Sequence, residues 1–333
     1  MSSTKSLLQC TVAAAAAMGL TSASAIAQQY PNRTITVIVP FAAGGPTDVV
    51  ARLIGENMGR TFGQQMIVEN VGGAGGTTGM TRVATAAPDG YTLGVGNMGT
   101  QSAAPSLYPN LKYDPAKSFT QIGIVNYTPQ TIVAKKATAA NTLQEFMAYL
   151  KANSEKLSYG HAGVGSISYV SGSVFNHQFG FKPGLVSYRG TGPALNDLIA
   201  GQIDYIVDQS MNTIPQIQAG TVKAYAVAHP KRIEALPNLA TAKELGVDYI
   251  FSAWNAMVGP GGLPKDVVDK LVAALNKAFD DPAIQKRYVD LGSTSPEGAD
   301  RGPAGLQKLV ESEVARITPV MKAVAGVKSV EKN

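Results

Sequence analysis

The stretch ITVIVPFAAGGPTDVVAR, residues 35–52, joins a run of β-branched residues to a glycine-rich turn and then to an amphipathic helix. We predict a strand over Ile35–Val39 and a helical stripe over Asp48–Phe62 that Gly63 closes. The turn between them exposes backbone N–H groups at the positive end of a helix dipole, where small anions such as carboxylates bind. A strand, turn and helix of this kind are typical of a parallel α/β sheet.

The first 27 residues have the pattern of an export signal. Lys5 is their one charged residue, residues 7–20 are mostly apolar, and Ala25-Ile26-Ala27 offers small residues at the cleavage positions. We predict cleavage after Ala27 and a location outside the cytoplasm. The alternative is a membrane anchor, but the apolar run is shorter than the roughly 20 residues that a bilayer needs.

Composition excludes several classes of function. Without the signal the chain has 27 basic residues, since Lys5 is lost from 28, against 23 acidic residues, a balance of about +4. The single cysteine, Cys10, leaves with the signal, so disulfides, thiolate metal sites and cysteine nucleophiles are excluded from the mature chain. Its basic residues are scattered, which argues against nucleic acid as a partner. We expect a monomer.

Strand and helix signals alternate along the chain, which predicts an α/β fold of parallel sheets with helices on both faces. A chain of about 300 residues exceeds what one core usually supports, so we expect two lobes. Long extended stretches over Ser118–Lys136, interrupted near Thr128-Pro129, and Tyr249–Val258 are the predicted crossings between lobes. The predicted lobe 1 is therefore 28–128 with 251–333, and lobe 2 is 129–250.

Four glycine-rich loops follow predicted strands: FAAGGPTD, GGAGGTTG, GNMGT and HAGVGSIS. Ligands bind at the carboxyl ends of strands in open α/β sheets, although each loop alone is equally well explained as a tight turn. GVGNMG, residues 94–99, has dinucleotide spacing but ends the third strand, and neither FAAGGPTD nor GGAGGTTG carries the lysine of a phosphate loop. The sequence has no G-x-S-x-G elbow and no histidines at metal spacing. We predict a binding protein without enzyme activity, metal or cofactor.

Several side chains near these loops have two interpretations. Asp48 either contacts a ligand's amino group or stabilises the first turn of a helix. His161 either donates to a ligand carboxylate or is a satisfied structural histidine. Arg189 either pairs with a carboxylate or lies at the surface, and Asp208 either accepts from a ligand hydroxyl or amine or caps a turn. Tyr188 is a candidate wall and hydroxyl donor of the crevice.

The chain resembles the Bug family, the extracytoplasmic solute receptors of tripartite tricarboxylate transporters. The resemblance spans essentially the whole mature chain and rests on motifs in the family's order: IVPFAAGGPTDVVAR, VENVGGAGGTTG, APDGYTL, LYPNLKYDP, YRGTGPALNDLIAGQID and WNAMVGPGGLP. It implies a two-lobed periplasmic binding protein of type II, with two doubly wound sheets and two inter-lobe crossings. Such a protein captures a small carboxylated solute for the transporter's membrane subunits. The alternative is a periplasmic sensor that presents its loaded form to a signalling partner.

The family holds one ligand carboxylate mostly by backbone N–H groups, hydroxyls and bridging waters. The resemblance places these contacts in the first lobe at Phe41, Ala42, Gly44, Gly45, Thr77, Asn97, Thr100 and Gln101, with Asp48 as a further candidate. Across the crevice it implies Gly163, Ser166, Tyr188, Gly190, Thr191 and Asp208. Many relatives have histidine and leucine where this chain has Tyr169 and Val170, so that wall of the pocket departs from the family pattern.

Overall fold

The computed structural model describes residues 30–325, of which 33–325 belong to one compact unit. The predicted export signal and its cleavage after Ala27 lie outside the described residues. None of the helices within 30–325 is both long and apolar enough to cross a membrane.

Nine strands form the sheet structure of these residues. They are β1 Ile35–Val39, β2 Met66–Asn70, β3 Thr92–Asn97, β4 Phe119–Lys135, β5 Ser158–His161, β6 Gly184–Ser187, β7 Tyr205–Gln209, β8 Val222–Ala228 and β9 Ser252–Pro260. The helices are α1 Pro46–Phe62, α2 Thr77–Ala84, α3 Ala104–Leu107, α4 Leu143–Asn153, α5 Ile167–Phe179, α6 Thr191–Ile199, α7 Ser210–Gln218, α8 Lys265–Phe279, α9 Pro282–Asp290 and α10 Pro303–Ala325.

The strands form two sheets of matching topology. In the first sheet β1 pairs in parallel with β2 and β3, and the antiparallel strands β9 and β4 complete it in the order β2-β1-β3-β9-β4. In the second sheet β5 pairs in parallel with β6 and β7, and β7 and β8 flank β4 as antiparallel partners. The loops after β1, β2 and β3 therefore correspond to the loops after β5, β6 and β7.

Strand β4 belongs to both sheets. Residues 119–129 pair with β9 in the first sheet, and 130–135 pair with β7 and β8 in the second. The predicted interruption near Thr128-Pro129 is wrong, because the register to β9 continues through Pro129 and pairing with β7 begins at Gln130. Chain continuity across this point fixes the two sheets to a common strand. The chain passes from the second sheet back to the first at Phe251, just before β9. The N–H of Phe251 still donates to the carbonyl of Ala228, the last residue of β8.

Local chemistry explains where the helices near the loops begin. Pro46 occupies the first turn of α1, where a missing N–H has no cost, and Gly63 ends α1 in the left-handed conformation. The helix thus starts two residues before the predicted Asp48. Ser166 caps α5 by accepting the N–H of Tyr169, and Gly180 closes that helix.

The C-terminal helices pack on the first sheet. Helix α8 matches the predicted range Lys265–Phe279 and buries the stripe that includes Leu271 and Leu275, in contact with α1 and β4. Helix α10 contacts β4 and α3. The second sheet has its own aromatic packing, with Phe146 stacked on Tyr225 at 4.1 Å between ring centroids. The core of each sheet therefore lies between strands and helices, and the loops at the strand ends remain available for a site.

Candidate functional site

The loops at the carboxyl ends of both sets of parallel strands face each other and enclose a cavity. The cavity volume is about 20 Å³, room for about one water molecule, so the loops lie close together around it. Its lining residues come from both sheets: Phe41, Gly45, Pro46, Thr47, Asn97, Ala162, Ser166, Ile167, Ser168, Thr191, Asp208 and Gln209. Both sheets therefore contribute to one small site, and a solute of a few carbon atoms requires the facing loops to move apart.

Three helices begin at this cavity. The lining includes Pro46 and Thr47 of α1, Ile167 and Ser168 of α5, and Thr191 of α6. Each helix N-terminus carries N–H groups without intrahelical partners and a positive partial charge. None of the lining residues is lysine, arginine or histidine. Attraction for an anion at this cavity therefore comes from backbone dipoles rather than from cationic side chains.

Asp48 holds the glycine-rich loop of the first sheet in place. Its carboxylate accepts from the Gly44 N–H at 3.0 Å, from Asn70 Nδ2 at 2.9 Å and from Arg52 Nε at 3.1 Å. Burial acts to raise the pKa of Asp48, but these hydrogen bonds and the charge of Arg52 outweigh it and lower the pKa. Asp48 is not among the residues that line the cavity. The contacts of Asp48 favour the interpretation that it stabilises the start of α1 over the interpretation that it contacts a ligand.

We expect Asp48→Asn to lower the free energy of unfolding by about 1–3 kcal/mol at neutral pH, because the charged partner of three donors is lost. The folded-state pKa is lowered, so the contribution of Asp48 is present at neutral pH and disappears as the pH falls through that pKa. Urea unfolding at pH 7 and at pH 3 measures the difference. An equal loss at both pH values would contradict a role for the charge.

The loop after β5 is ordered by its own side chains. His161 accepts the N–H of Gly163 on Nδ1 at 3.1 Å, and its ring lies edge-to-face with Tyr169 at 5.1 Å between centroids. Burial lowers the pKa of His161 to about 4, so the ring is neutral at physiological pH. Ser168 Oγ accepts the N–H of Ala162 at 3.0 Å. His161 and Tyr169 are absent from the cavity lining, and they support the loop from behind.

Asp208 is the one ionisable side chain in the cavity lining. It lies at the end of β7 and has no exposed surface. Its Oδ2 accepts from Asn212 Nδ2 at 2.6 Å, and its Oδ1 has no hydrogen-bond partner within the described chain. Burial raises the pKa of Asp208 to about 6, although the bond from Asn212 and two weaker donors act in the opposite direction.

A buried polar network lies where the two sheets meet beside the cavity. Asn97 Nδ2 donates to Thr47 Oγ1, which donates to Asn255 Oδ1 at 3.0 Å. Asn255 Nδ2 donates in turn to Asn126 Oδ1 at 2.9 Å and contacts Gln209 Oε1 at 3.2 Å. The network connects α1 and β3 of the first sheet with β7 of the second. It gives the cavity hydroxyl and amide groups at its base.

Glycines permit the backbones of facing loops to approach closely. The Ala42 N–H donates to the Arg189 carbonyl at 2.9 Å across the two sheets. A Cβ on Gly190 would lie 2.9 Å from the Ala42 nitrogen, and a Cβ on Gly192 would lie 3.0 Å from the Ala43 carbonyl oxygen. These loops, FAAGG after β1 and YRGTG after β6, are in direct backbone contact, so any larger side chain at these glycines forces them apart.

The structure brings a subset of the predicted residues to the cavity. Those in its lining are Phe41, Gly45, Asn97, Ser166, Thr191 and Asp208. The others are absent from the lining: Ala42, Gly44, Asp48, Thr77, Thr100, Gln101, Gly163, Tyr188 and Gly190. The Gly44 N–H is taken by Asp48, and the Tyr188 hydroxyl donates to Asp197 Oδ2 at 2.7 Å. Thr77 Oγ1 donates to the Ala74 carbonyl.

Sequence reasoning missed six lining residues: Pro46, Thr47, Ala162, Ile167, Ser168 and Gln209. Two signals were present in the sequence. Thr47 follows the proline that starts α1, and Ser168 follows the serine that caps α5, so both lie in a first helical turn. Gln209 had no such signal, because its place depends on how β7 pairs with β4.

The described residues contain no group of three or more histidine, cysteine or acidic side chains that could hold a metal. The residues that line the cavity include no histidine or cysteine to serve as base or thiol nucleophile. Their chemistry is that of hydrogen bonding to a solute.

Comparison with known proteins identifies what the chain is similar to. The family model for the tripartite tricarboxylate transporter family receptor matches residues 50–325. A protein of Agrobacterium vitis, named for the TAR-I ttuE-ttuC' intergenic region, is 42% identical over 294 residues, 88% of this chain and 84% of that protein.

Solved structures show the same fold. MatC from Rhodopseudomonas palustris with bound malate is 43% identical, with a TM-score of 0.84 over 87% of this chain and 99% of that chain. The periplasmic binding protein BugD is 42% identical, with a TM-score of 0.86 over 89% of this chain and 99% of that chain. The predicted two-lobed periplasmic binding protein fold is confirmed, as is the prediction that the molecule is a solute receptor and not an enzyme.

Proposed function

Because this chain belongs to the tripartite tricarboxylate transporter receptor family, we propose that it captures a small carboxylated solute between its lobes for a transporter of that type. The resemblance to Bug proteins is confirmed by the match to BugD. The solute is released to the membrane subunits of the transporter. The protein acts as a monomer in the periplasm after cleavage at Ala27.

One observation carries the proposal: three helix N-termini meet at a cavity whose lining has no cationic side chain. A carboxylate there receives hydrogen bonds from N–H groups, and each bond to a charged group contributes roughly 1.5–3 kcal/mol. Three or four such bonds approach the roughly 8 kcal/mol of micromolar affinity before ordering costs are counted. The malate bound to MatC is a solute of this class.

The proposed lobes are 28–128 with 251–333, and 129–250. The crossing of β4 at 129–130 and the return of the chain at Phe251 support these boundaries. The proposed contacts to the carboxylate are the N–H groups at the starts of α1, α5 and α6, aided by the hydroxyl of Ser166. Closure of the lobes removes water from these groups and strengthens their hydrogen bonds.

Purified residues 28–333 test the proposal in a thermal-shift screen against small organic acids. A ligand at 100 times its dissociation constant adds about 2.7 kcal/mol to the free energy of unfolding, which raises the melting temperature by several degrees. The expected hits are carboxylic acids of about the size of the malate bound to MatC. Hits confined to uncharged solutes would overturn the carboxylate assignment.

Transport and sensing are separated by deleting the gene and measuring uptake of the identified solute. We expect uptake to fall and to return when the gene is restored on a plasmid. Normal uptake combined with lost solute-induced gene expression would instead indicate a sensor.

A further inference from the structure

The carboxylate of Asp208 is buried in the cavity without a compensating cation. Its Oδ1 has no hydrogen-bond partner within the described residues, and the other lining residues carry no charge. An unpaired buried carboxylate is costly, because desolvation removes the water that stabilises its charge. A site that retains such a group gains affinity for any ligand that supplies the missing donor.

The elements packed around Asp208 offer neutral groups only. Helix α7 contributes Asn212, which donates to Oδ2. The Thr191 hydroxyl of α6 and the Gln209 N–H lie near enough to lower the pKa of Asp208, but neither forms a hydrogen bond of good geometry to Oδ1. Strand β4 contributes Thr131, whose hydroxyl donates to the Asp208 carbonyl. On β5, Tyr159 donates its hydroxyl to the Ser168 carbonyl, and His161 is neutral because burial lowers its pKa to about 4. Oδ1 of Asp208 is therefore available to accept a hydrogen bond from a ligand.

Two regions of the cavity have opposite preferences for the charge of a ligand. The starts of α1 and α5 present N–H groups and favour an anion, whereas Oδ1 of Asp208 accepts hydrogen bonds and disfavours one. Both regions border the same cavity, so a solute bound between the facing loops contacts both. That molecule needs a carboxylate at one end and an O–H or N–H donor within a few bonds of it.

Resting on the proposed carboxylate-binding function, we propose that Asp208 determines specificity by accepting a hydrogen bond from a hydroxyl or ammonium group beside the ligand carboxylate. The solutes selected are hydroxy acids and amino acids. Plain dicarboxylates and fatty acids are disfavoured, since they leave Oδ1 unpaired, and a second carboxylate adds repulsion. Rejection of a ligand that lacks the required donor amounts to about 10- to 100-fold in affinity.

Three ligands with the same four-carbon skeleton test the proposal: malate carries a hydroxyl, aspartate an ammonium, and succinate neither. Calorimetric titration of residues 28–333 at pH 7.5 measures their dissociation constants. We expect malate, aspartate or both to bind at least tenfold more tightly than succinate. The preferred ligand identifies whether the donor is a hydroxyl or an ammonium group.

The variant Asp208→Asn assigns the preference to this side chain. Asn212 Nδ2 lies 2.6 Å from Oδ2, so the new amide presents its oxygen to Asn212 and its NH₂ group to the cavity. An acceptor thereby becomes a donor, and the preference over succinate should fall at least tenfold while succinate binds as well as before or better. Asp197→Asn is the matched control, because Asp197 bonds the Tyr188 hydroxyl outside the cavity lining and should leave the ratio unchanged.

Two results would overturn the role of Asp208 while leaving the proposed function intact. One is succinate binding as tightly as both donor-bearing ligands in the unmodified protein. The other is an unchanged ratio in Asp208→Asn. Failure of every carboxylate to bind the unmodified protein would overturn the proposed function itself and this inference with it.

Discussion

Replacing Gly99 with alanine is expected to abolish or strongly weaken solute binding while leaving the stability of the unliganded protein nearly unchanged. A Cβ on Gly99 would lie 2.4 Å from the Gly165 carbonyl oxygen and 3.0 Å from the Ile167 nitrogen. The first atom belongs to the loop after β5 and the second to the start of α5, across the cavity from the first sheet. The added methyl group therefore opposes lobe closure more than it opposes folding of either lobe.

The expected loss of affinity in Gly99→Ala follows from the cost of overpacking, which is roughly 1–3 kcal/mol, or about 5- to 150-fold in affinity. Gly184→Ala is the matched control outside the cavity lining, since its Cβ would meet its nearest neighbour, the Leu157 carbonyl oxygen, at 3.7 Å, an ordinary contact. Calorimetry measures affinity, and urea unfolding without ligand measures stability. A large stability loss in Gly99→Ala would mean that the two loops stay in contact without ligand, contrary to closure on the solute.

Asp208→Asn is expected to raise the free energy of unfolding of the unliganded protein by about 3 kcal/mol at pH 7.5. Burial raises the pKa of Asp208 from 3.8 to about 6, and 1.36 kcal/mol per pKa unit converts this difference to roughly 3 kcal/mol. Because the folded-state pKa lies above the unfolded one, Asp208 favours folding below pH 3.8 and loses that advantage as the pH rises through 6. The amide of Asp208→Asn carries no charge, so the variant does not lose free energy of unfolding in this way as the pH rises.

Urea unfolding across pH 3.5–8 tests whether the variant raises or lowers the free energy of unfolding. The variant and the unmodified protein should converge below about pH 4, where Asp208 is protonated in both states. Asp204→Asn serves as a control of opposite sign. Burial acts to raise the pKa of Asp204, but hydrogen bonds from Lys135 and Ser158 outweigh it and lower the pKa, so this variant should lose stability at pH 7.5. A destabilised Asp208→Asn at pH 7.5 would show that the carboxylate has a partner that offsets its burial.

These two experiments address different properties of one cavity. The variant Gly99→Ala tests how closely the lobes approach each other. The variant Asp208→Asn tests the effect of the buried carboxylate between them. The cost of burying Asp208 without a cation is the form of stability loss that functional sites often carry. A stabilised variant that no longer prefers hydroxy or amino acids would link that cost directly to selectivity.

Local sequence patterns determined the elements that build the site. Proline at the first turn of α1 and glycine at its end are local signals, and so is the stripe that defines α8 over Lys265–Phe279. The alternation of strand and helix signals predicted parallel sheets with helices on both faces, because helix and strand periods depend on neighbours in the chain. The glycine-rich loops were visible for the same reason, and their residue types excluded nucleotide and metal sites.

Tertiary structure decided which of the candidate groups line the cavity. Asp48 lies beside the first loop in the sequence, yet its carboxylate is occupied by Gly44, Arg52 and Asn70. Asp208 lies 160 residues after Asp48 and has a free oxygen in the cavity. The pairing of β7 with β4 brings it there, and sequence spacing contains no information on such long-range pairing. Burial then sets its pKa, since desolvation depends on every element packed around it.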